Sequence, residues 1–218
     1  LKDIYVVEGY MDAVAMSENK INNAVATLGI ATNRFHVQKL LQLVSEITFC
    51  FDGDDAGRGA AWGALKNVLP VVGDGTEIRF LFLPEGEDPA SLLEKESKEE
   101  FRSRSESSLL LSQYFIQRLA EAVGVTSLEK KASLASRAMQ LLMSMPESSI
   151  KKLLEEEVSK VTGLKKEDIQ THNITKTYQK RRTALSTEDI NNEQQERVFE
   201  QSGLGSKALS ALIFYPGL

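Results

Sequence analysis

Four short apolar runs alternate with three segments of helical periodicity in the first 83 residues of the chain. The runs are apolar at nearly every position, as expected of strands that helices cover on both faces. Strands that alternate with helices in this way are typical of βαβ units and a parallel sheet. The predicted strands are 3–7, 24–27, 46–51 and 77–83, and the predicted helices are 10–18, 33–44 and 55–69. We therefore expect an α/β fold, with a mainly parallel sheet flanked by helices.

The pattern changes after about residue 107, where no further strand is predicted. Amphipathic helices are predicted at 109–122, 128–144, 147–162 and 165–180. Residues 171–205 are polar and poor in aromatic side chains, which is typical of a linker. We expect an α/β domain at 1–106, a helical subdomain at 107–170, a linker at 171–205 and the start of a further region at 206–218. An apolar strand begins within the first few residues, and the last residues break off at the start of another apolar element. We therefore expect a piece of a longer protein.

Composition excludes several classes of protein. No apolar run approaches the ~20 residues of a membrane span, and no set of Cys and His has the spacing of a zinc site. The single cysteine, Cys50, cannot form an internal disulfide, and a reducing, cytoplasmic setting is expected. The net charge of −5 is unusual for a protein that binds nucleic acid. If the protein grips DNA, we expect the main basic surface to lie outside this chain.

Acidic residues follow three of the predicted strands. Glu8 follows the first strand, Asp52 and Asp54 follow the third, and Glu87 and Asp88 follow the fourth. In an open parallel sheet the carboxyl ends of the strands meet at one edge, where ligands bind. Asp12, four residues after Glu8, is one helical turn away and can point back to that edge. The sequence therefore predicts a cluster of carboxylates at this edge.

Carboxylates that converge repel one another, at about 4 kcal/mol for a pair ~4 Å apart at an effective dielectric constant near 20. Protons or cations must offset this repulsion, and oxygen ligands of this kind select Mg²⁺ or Mn²⁺. Two such ions can activate a hydroxyl and stabilise a leaving phosphate, so the expected chemistry is phosphoryl or nucleotidyl transfer. Arg58, in the first turn of the following helix, is a candidate phosphate ligand. Glycines around the acids suit turns in which the backbone approaches closely, namely Gly9, Gly53, Gly57 and Gly59.

Two other kinds of site also contain sequences like Asp52-Gly53-Asp54-Asp55, and both fit this chain poorly. An EF-hand loop requires a preceding helix and a Glu at its twelfth position, whereas here a strand precedes and Gly63 occupies that position. A phosphotransferase of the haloacid dehalogenase type also places D-x-D after a strand, with the first Asp as nucleophile. Its loop usually continues with Thr or Val, where this chain has Ala56, and it needs no Glu after the first strand.

The motifs resemble the Toprim domain, which has a Glu after its first strand and D-x-D after its third. They are most similar to segments of the bacterial (DnaG-type) DNA primase family. The segments VVEGYMDAVA, AVATLGIA, FDGDDAGRGAAWGAL and RFLFLPEGEDP occur in the order and spacing of that family. The resemblance implies a Toprim fold over the first part of the chain, followed by the helical subdomain of the primase polymerase core. The last residues, 206–218, resemble the beginning of the helicase-binding region.

The resemblance also implies site residues and partners. Metal ligands are expected at Glu8, Asp12, Asp52, Asp54 and Asp88. Three of these, Glu8, Asp52 and Asp54, are the expected catalytic residues. Glu8 is also expected to act as a general base. The family often has D-P-D in its last motif, whereas this chain has Asp88-Pro89-Ala90, which leaves Glu87 as an alternative carboxylate. The implied activity is the synthesis of short RNA primers on single-stranded DNA from ribonucleoside triphosphates, with Mg²⁺ or Mn²⁺. Zinc is expected only in an N-terminal family domain that this chain lacks, and a replicative helicase is the expected protein partner.

Other functions stay open at this point. A different Toprim enzyme, such as a topoisomerase or nuclease, is the second hypothesis. A topoisomerase would need a tyrosine nucleophile, and none of the tyrosines has a motif context for that role: Tyr5, Tyr10, Tyr114, Tyr178 and Tyr215. A module that docks to the helicase without catalysis is the third hypothesis. Trp62 is predicted to pack in the core rather than to stack on a base. The basic run at Lys180, Arg181 and Arg182 is predicted to be a solvated part of the linker.

Overall fold

The computed structural model of the protein describes residues 2–28, 32–123 and 127–164, all of which belong to the compact unit Leu1–Ile169. These residues form a five-stranded sheet with the strand order β2-β1-β3-β4-β5. The strands are β1 (Asp3–Val7), β2 (Ala24–Ala26), β3 (Glu46–Phe51), β4 (Glu77–Phe82) and β5 (Leu109–Leu110). The first four strands are parallel and β5 is antiparallel to β4. The prediction of a mainly parallel sheet is therefore confirmed.

Helices follow or separate these strands along the chain. Their bounds are α1 (Tyr10–Glu18), α2 (Arg34–Leu41), α3 (Asp55–Val68), α4 (Pro89–Leu93), α5 (Lys98–Glu106), α6 (Leu111–Val123), α7 (Leu128–Met143) and α8 (Ser149–Thr162). Helices α4 and α5 were not predicted. The prediction that no strand follows residue 107 is wrong, because β5 occupies the start of the predicted helix 109–122. The predicted helix 165–180, the linker 171–205, its basic run and the region 206–218 lie outside the described residues.

Alternating side chains of the sheet enter two separate cores, one on each face. Ile4 and Val6 of β1 pack on one face together with apolar residues of α2, α3, α6, α7 and α8. Tyr5 and Val7 of the same strand pack on the other face with Met16 of α1 and residues around α4 and α5. Burial on both faces explains why the strands are apolar at nearly every position. The sheet is thus enclosed between two layers of helices.

The helical part after β5 packs against the same sheet. Tyr114 of α6 stacks on Phe80 of β4, with ring centroids 4.7 Å apart. Asp74, in the loop before β4, accepts hydrogen bonds from the backbone N–H groups of Ser149 (2.9 Å) and Ile150 (3.0 Å) at the start of α8. Trp62 is half-buried against this core, in agreement with its predicted packing role. No helix among the described residues is long and apolar enough to cross a membrane.

Candidate functional site

The loops that follow β1, β3 and β4 meet at the carboxyl edge of the sheet. The strands β1 and β3 are neighbours, with Val6 opposite Phe49, and β4 lies on the other side of β3. The loop after β3 is fixed to the loop after β4 by a hydrogen bond from the Gly53 N–H to the Glu87 carbonyl oxygen (3.3 Å). The acidic residues of three strand ends are therefore brought to the same region, as the strand order requires.

The loop after β2 also reaches this edge. The Leu28 N–H donates to the backbone carbonyl oxygen of Glu8 at 3.1 Å. Leu28 has a φ of 56°, in the left-handed region that costs energy for a residue with a side chain. Leu28 is an apolar residue outside the acidic motifs, so the sequence did not indicate that it contacts the site. Through this hydrogen bond, the strained Leu28 holds the backbone of Glu8 in place.

Two glycines are required by close contact between these loops. A Cβ atom on Gly53 would lie 1.9 Å from the carbonyl oxygen of Pro84, and one on Gly57 would lie 2.3 Å from the carbonyl oxygen of Asp52. The predicted close approach is therefore present at both positions. It is absent at Gly59, where an added Cβ would meet no atom within 4 Å. Close backbone contacts therefore require glycine at positions 53 and 57, and no such contact requires it at position 59.

Glu8 carries the clearest sign of an unfilled interaction. Its Oε1 atom is buried and has no hydrogen-bond partner among the described residues. Burial raises the pKa of the Glu8 carboxyl above its usual range, and the negative charges of Asp52, Asp54 and Asp12 raise that pKa further. A buried acceptor without a partner is costly, so this oxygen is suited to a cation or a donor that the chain itself does not supply.

Asp52 and Asp54 take different positions in the loop after β3. Burial raises the pKa of the Asp52 carboxyl, and the charges of Asp12, Asp88 and Asp54 act in the same direction. Asp54 is exposed and caps α3, because its Oδ1 accepts a hydrogen bond of 2.7 Å from the Gly57 N–H. That cap uses one oxygen of Asp54 and leaves the other for a ligand.

Asp12 and Asp88 each cap a helix start. Asp12 is only 8% exposed, and its Oδ2 accepts a hydrogen bond from the Gly9 N–H at 2.9 Å. Asp88 is the N-cap of α4, and its Oδ1 accepts from the Ser91 N–H at 2.7 Å. Asp88 thus caps α4 with one oxygen, which does not exclude a ligand role for its second oxygen.

Glu87, the alternative carboxylate of the last motif, is already paired. Its two oxygens accept from the Lys95 ammonium group and from the Ser91 hydroxyl group. These contacts lower the pKa of the Glu87 carboxyl, with Lys95 as the largest cause. The sequence did not indicate that Lys95, eight residues after Glu87, would pair with it. The sequence Asp88-Pro89 followed by Ser91, in contrast, is typical of a capped helix start.

Arg58, the candidate phosphate ligand, lies on the exposed side of α3. Its Nε atom is 3.3 Å from the Oδ1 atom of Asp55 in a solvent-exposed ion pair. Such a pair is weak, so it leaves the guanidinium group available to another anion. The phosphate role of Arg58 stays a prediction.

Five acids, namely Glu8, Asp12, Asp52, Asp54 and Asp88, are called the carboxylate cluster below. Their charges act on one another, yet among the described residues no three His, Cys, Asp or Glu side chains already stand in an arrangement that would hold a metal ion. The ligand roles predicted for the cluster stay predictions.

Comparison with known proteins shows two family matches along the chain. Residues 5–93 match the Toprim-like family, and residues 112–167 match the family described as the DnaB-helicase binding domain of primase. The first match contains every member of the carboxylate cluster. The second coincides with the helical part that packs beside the sheet, whereas the predicted helicase-binding region was placed at 206–218.

Individual proteins similar to the chain are primases. The DNA primase of Pseudomonas aeruginosa is 49% identical over 170 residues, which is 78% of this chain and 26% of that protein. The crystal structure of a DNA primase domain from Pseudomonas aeruginosa has a TM-score of 0.73 at 50% identity, and covers 78% of this chain and 53% of the solved chain. The structure of the DnaG primase catalytic domain bound to ssDNA has a TM-score of 0.69 at 40% identity, and covers 73% of this chain and 52% of that one. The chain thus spans about a quarter of this curated relative and about half of the solved domains.

Proposed function

The chain belongs to the family of bacterial DnaG-type DNA primases, and from this membership we propose that it carries the catalytic carboxylates for the synthesis of RNA primers on single-stranded DNA. The reaction class is nucleotidyl transfer, in which a primer 3′-hydroxyl attacks the α-phosphate of a ribonucleoside triphosphate and pyrophosphate leaves. The α/β domain at 1–106 would hold the reacting groups, and the helical subdomain at 107–170 would support them.

The observation that carries this proposal is the unsatisfied Glu8 oxygen within the carboxylate cluster. Glu8 Oε1 is a buried acceptor with no hydrogen-bond partner among the described residues. Burial, followed by the neighbouring charges of Asp52 and Asp54, raises the pKa of the Glu8 carboxyl. Hard oxygen atoms that repel one another are suited to Mg²⁺ or Mn²⁺. Glu8, Asp52 and Asp54 are therefore the residues that would hold such an ion, with Asp88 contributing its uncapped oxygen.

A divalent cation bound here would neutralise the phosphates and lower the pKa of the attacking hydroxyl. The chain's own residues would orient the cation and the triphosphate. The glycine turns allow the backbone of residues 52–57 to fold tightly at the sheet edge, and Arg58 lies on the exposed side of the next helix, where it would pair with a phosphate. Glu8 would also accept the proton of the 3′-hydroxyl, the general-base role that the resemblance to the family implies for this residue.

Partners follow from the same family. Single-stranded DNA is bound by the similar DnaG catalytic domain, and the family matched by residues 112–167 binds the DnaB helicase. We infer that the longer protein engages both, at a cytoplasmic replication fork. The net charge of −5 indicates that other regions supply the basic surface for DNA, and any zinc would belong to such a region.

Alternative functions have less support. A topoisomerase or nuclease with this domain is disfavoured, because the relatives that match 74–78% of the chain are primases. A docking role without catalysis agrees with the helicase-binding match, but it does not explain why a buried carboxylate oxygen has no hydrogen-bond partner in the described part of the chain.

The test uses a chimaera in which this chain replaces the matching segment of the Pseudomonas aeruginosa primase. Primer synthesis is measured on single-stranded DNA with ribonucleoside triphosphates and Mg²⁺. Asp52→Ala combined with Asp54→Ala should reduce the rate at least roughly a hundredfold, as loss of groups that stabilise transition-state charge usually does. Glu18→Ala, which removes an exposed carboxylate at the opposite end of α1, should leave the rate unchanged. Full activity of the double variant would refute the assignment.

A further inference from the structure

The last acidic motif offers two neighbouring carboxylates to an ion at the carboxyl edge of the sheet, those of Glu87 and Asp88. Ala90 stands where the family often has a further acid, so the motif must contribute one or both of these two. Their oxygens are used differently. One oxygen of Asp88 caps α4 by accepting the Ser91 N–H at 2.7 Å, whereas both oxygens of Glu87 accept hydrogen bonds.

Glu87 is held by two donors from the same side of α4. Its Oε2 atom accepts from the Ser91 hydroxyl group at 2.7 Å, and its Oε1 atom accepts from the Lys95 ammonium group at 2.5 Å. Ser91 and Lys95 follow Glu87 by four and eight residues, which is the spacing of side chains that share one side of a helix. The Glu87 side chain is only 18% exposed, so water screens its charge less than that of a surface acid. A largely buried carboxylate is therefore satisfied at both oxygens by the chain itself.

The backbone of Glu87 is fixed beside the carboxylate cluster by separate contacts. Its carbonyl oxygen accepts the Gly53 N–H at 3.3 Å, and its own N–H donates to the Pro84 carbonyl oxygen at 3.0 Å. The first of these bonds places residue 87 against the loop that carries Asp52 and Asp54. The direction of the Glu87 side chain then decides whether this carboxylate binds an ion there.

Lys95 opposes the binding of an ion to Glu87. A divalent cation on one oxygen of this carboxylate would lie close to the ammonium group on the other, and the two positive charges would repel each other. Glu87 would have to release Lys95 before it could bind the ion. The Ser91 hydroxyl group acts in the same direction, because it occupies the second oxygen.

We propose that Lys95 is a positioning residue that holds the Glu87 carboxylate along α4, so that Asp88 is the one acid of the last motif that binds the ion. This inference rests on the proposed function, because it concerns the ligands of the proposed ion. Lys95 supports the ion site without touching the ion, and Glu87 does not replace the acid that is missing at position 90.

The first experiment measures the Mn²⁺ affinity of the full 218-residue chain by calorimetric titration. It compares the wild type with Glu87→Gln combined with Lys95→Met, a double variant that removes the pair without changing the net charge. If Glu87 is held away from the ion, the pair is dispensable, and the double variant should bind Mn²⁺ within about twofold of the wild type. If Glu87 is a ligand, the double variant should bind at least about tenfold more weakly, and that result would overturn the proposal.

Single variants at position 95 test what holds Glu87. Lys95→Met frees a carboxylate beside the ion site and should raise the Mn²⁺ affinity at least about threefold. Lys95→Arg keeps a cationic donor and should bind Mn²⁺ as the wild type does. An unchanged affinity in Lys95→Met would show that Lys95 does not withhold Glu87, and would contradict the role given to it.

Two further variants are controls on the same helix. Asp88→Asn keeps an acceptor for the Ser91 N–H, so α4 should stay capped while the Mn²⁺ affinity falls at least about tenfold. Glu94→Gln removes an exposed carboxylate at the end of α4 and should change the affinity by less than about twofold. Circular dichroism checks that every variant is folded. Wild-type affinity in Asp88→Asn would overturn the proposal, because Asp88 would then not be a ligand.

Crystals grown with Mn²⁺ test the geometry directly. The anomalous signal of manganese locates the ion independently of the protein density. We expect an oxygen of Asp88 among the ligands of the ion and Glu87 still bonded to Lys95. An oxygen of Glu87 bonded to the ion would overturn the proposal.

The two proposals fail in different ways. If neither the wild type nor any variant binds Mn²⁺ at millimolar concentration, the proposed function fails at this site, and the role of Lys95 fails with it. If the wild type binds Mn²⁺ and the double variant is at least about tenfold weaker, only the role of Lys95 fails.

Discussion

The backbone of Gly53 packs directly against the carbonyl group of Pro84, so that a Cβ atom on Gly53 would lie 1.9 Å from the Pro84 oxygen. This contact holds the loop after β3 against the loop after β4. Glycine is required here because of space, since Gly53 does not have a positive φ. The position of Asp52 and Asp54 relative to Asp88 depends on it.

Gly53→Ala should therefore destabilise the fold and disturb the carboxylate cluster. We expect the free energy of unfolding to fall by about 1–3 kcal/mol or more, as for overpacking elsewhere, measured by urea denaturation. Gly59→Ala is the matched control: the site is open and helical, and alanine is the better helix former, so stability should rise by about 0.5–1 kcal/mol. A Gly53→Ala variant as stable as Gly59→Ala would contradict the contact.

Stability without metal should depend on pH through Glu8 and Asp52. The pKa of each carboxyl is raised in the folded protein, so the fold binds protons that the unfolded chain has released. Their contribution is fully present below the ordinary carboxyl pKa and is lost as pH rises through the raised pKa. Glu8→Gln should therefore raise the melting temperature of metal-free protein at pH 7 and have little effect at pH 4. Glu18→Gln, at an exposed position, should have no such pH-dependent effect.

The cap at the start of α8 predicts the opposite pH dependence. Hydrogen bonds from the Ser149 and Ile150 backbone lower the pKa of the Asp74 carboxyl. Its contribution is present above the ordinary carboxyl pKa and is lost as pH falls through the lowered pKa. Asp74→Ala should lower the melting temperature at pH 7, and the difference from wild type should shrink toward pH 2–3. Glu85→Ala removes an exposed carboxylate that lies outside the helices, and should leave the melting temperature unchanged.

The stack of Phe80 on Tyr114 should carry much of the packing between the sheet and α6. Phe80 is fully buried and its ring centroid is 4.7 Å from that of Tyr114. Phe80→Ala should lower the free energy of unfolding by about 3–5 kcal/mol. Phe35→Ala, at a side chain that is 45% exposed, should change it by less than about 0.5 kcal/mol. Hydrogen exchange should also increase in α6 of the Phe80 variant and not in the Phe35 variant.

Sequence patterns predicted the elements whose side chains are buried on a regular period. Strands β1, β3 and β4 begin at their predicted residues, because two covered faces make every position apolar. Helix α5 was missed because it is strongly charged, and among its described side chains only Phe101 and Ser105 are buried. Strand β5 is two residues long, too short for any period, and it is held by pairing with Arg79 and Phe80 of β4.

The sequence predicted that the acidic residues lie at the carboxyl edge of the sheet, but it did not predict the contacts that each of them makes. The rule that parallel strands end together brought Glu8, Asp52 and Asp88 to one region from spacing alone. The contacts that distinguish these acids depend on packing between distant residues. The pairing of Glu87 with Lys95 and the hydrogen bond from the Gly53 N–H to the Glu87 carbonyl oxygen are of this kind, and no local pattern encodes them.

The buried Glu8 oxygen has a kinetic consequence for ion loading. This atom holds no hydrogen bond within the described part of the chain, so the proposed cation would break none there. We therefore expect the slow event to be the loss of the ion's own water. Mg²⁺ gives up its hydration shell reluctantly. The time needed to load the site should then follow the rate at which each ion exchanges water, whatever its final affinity.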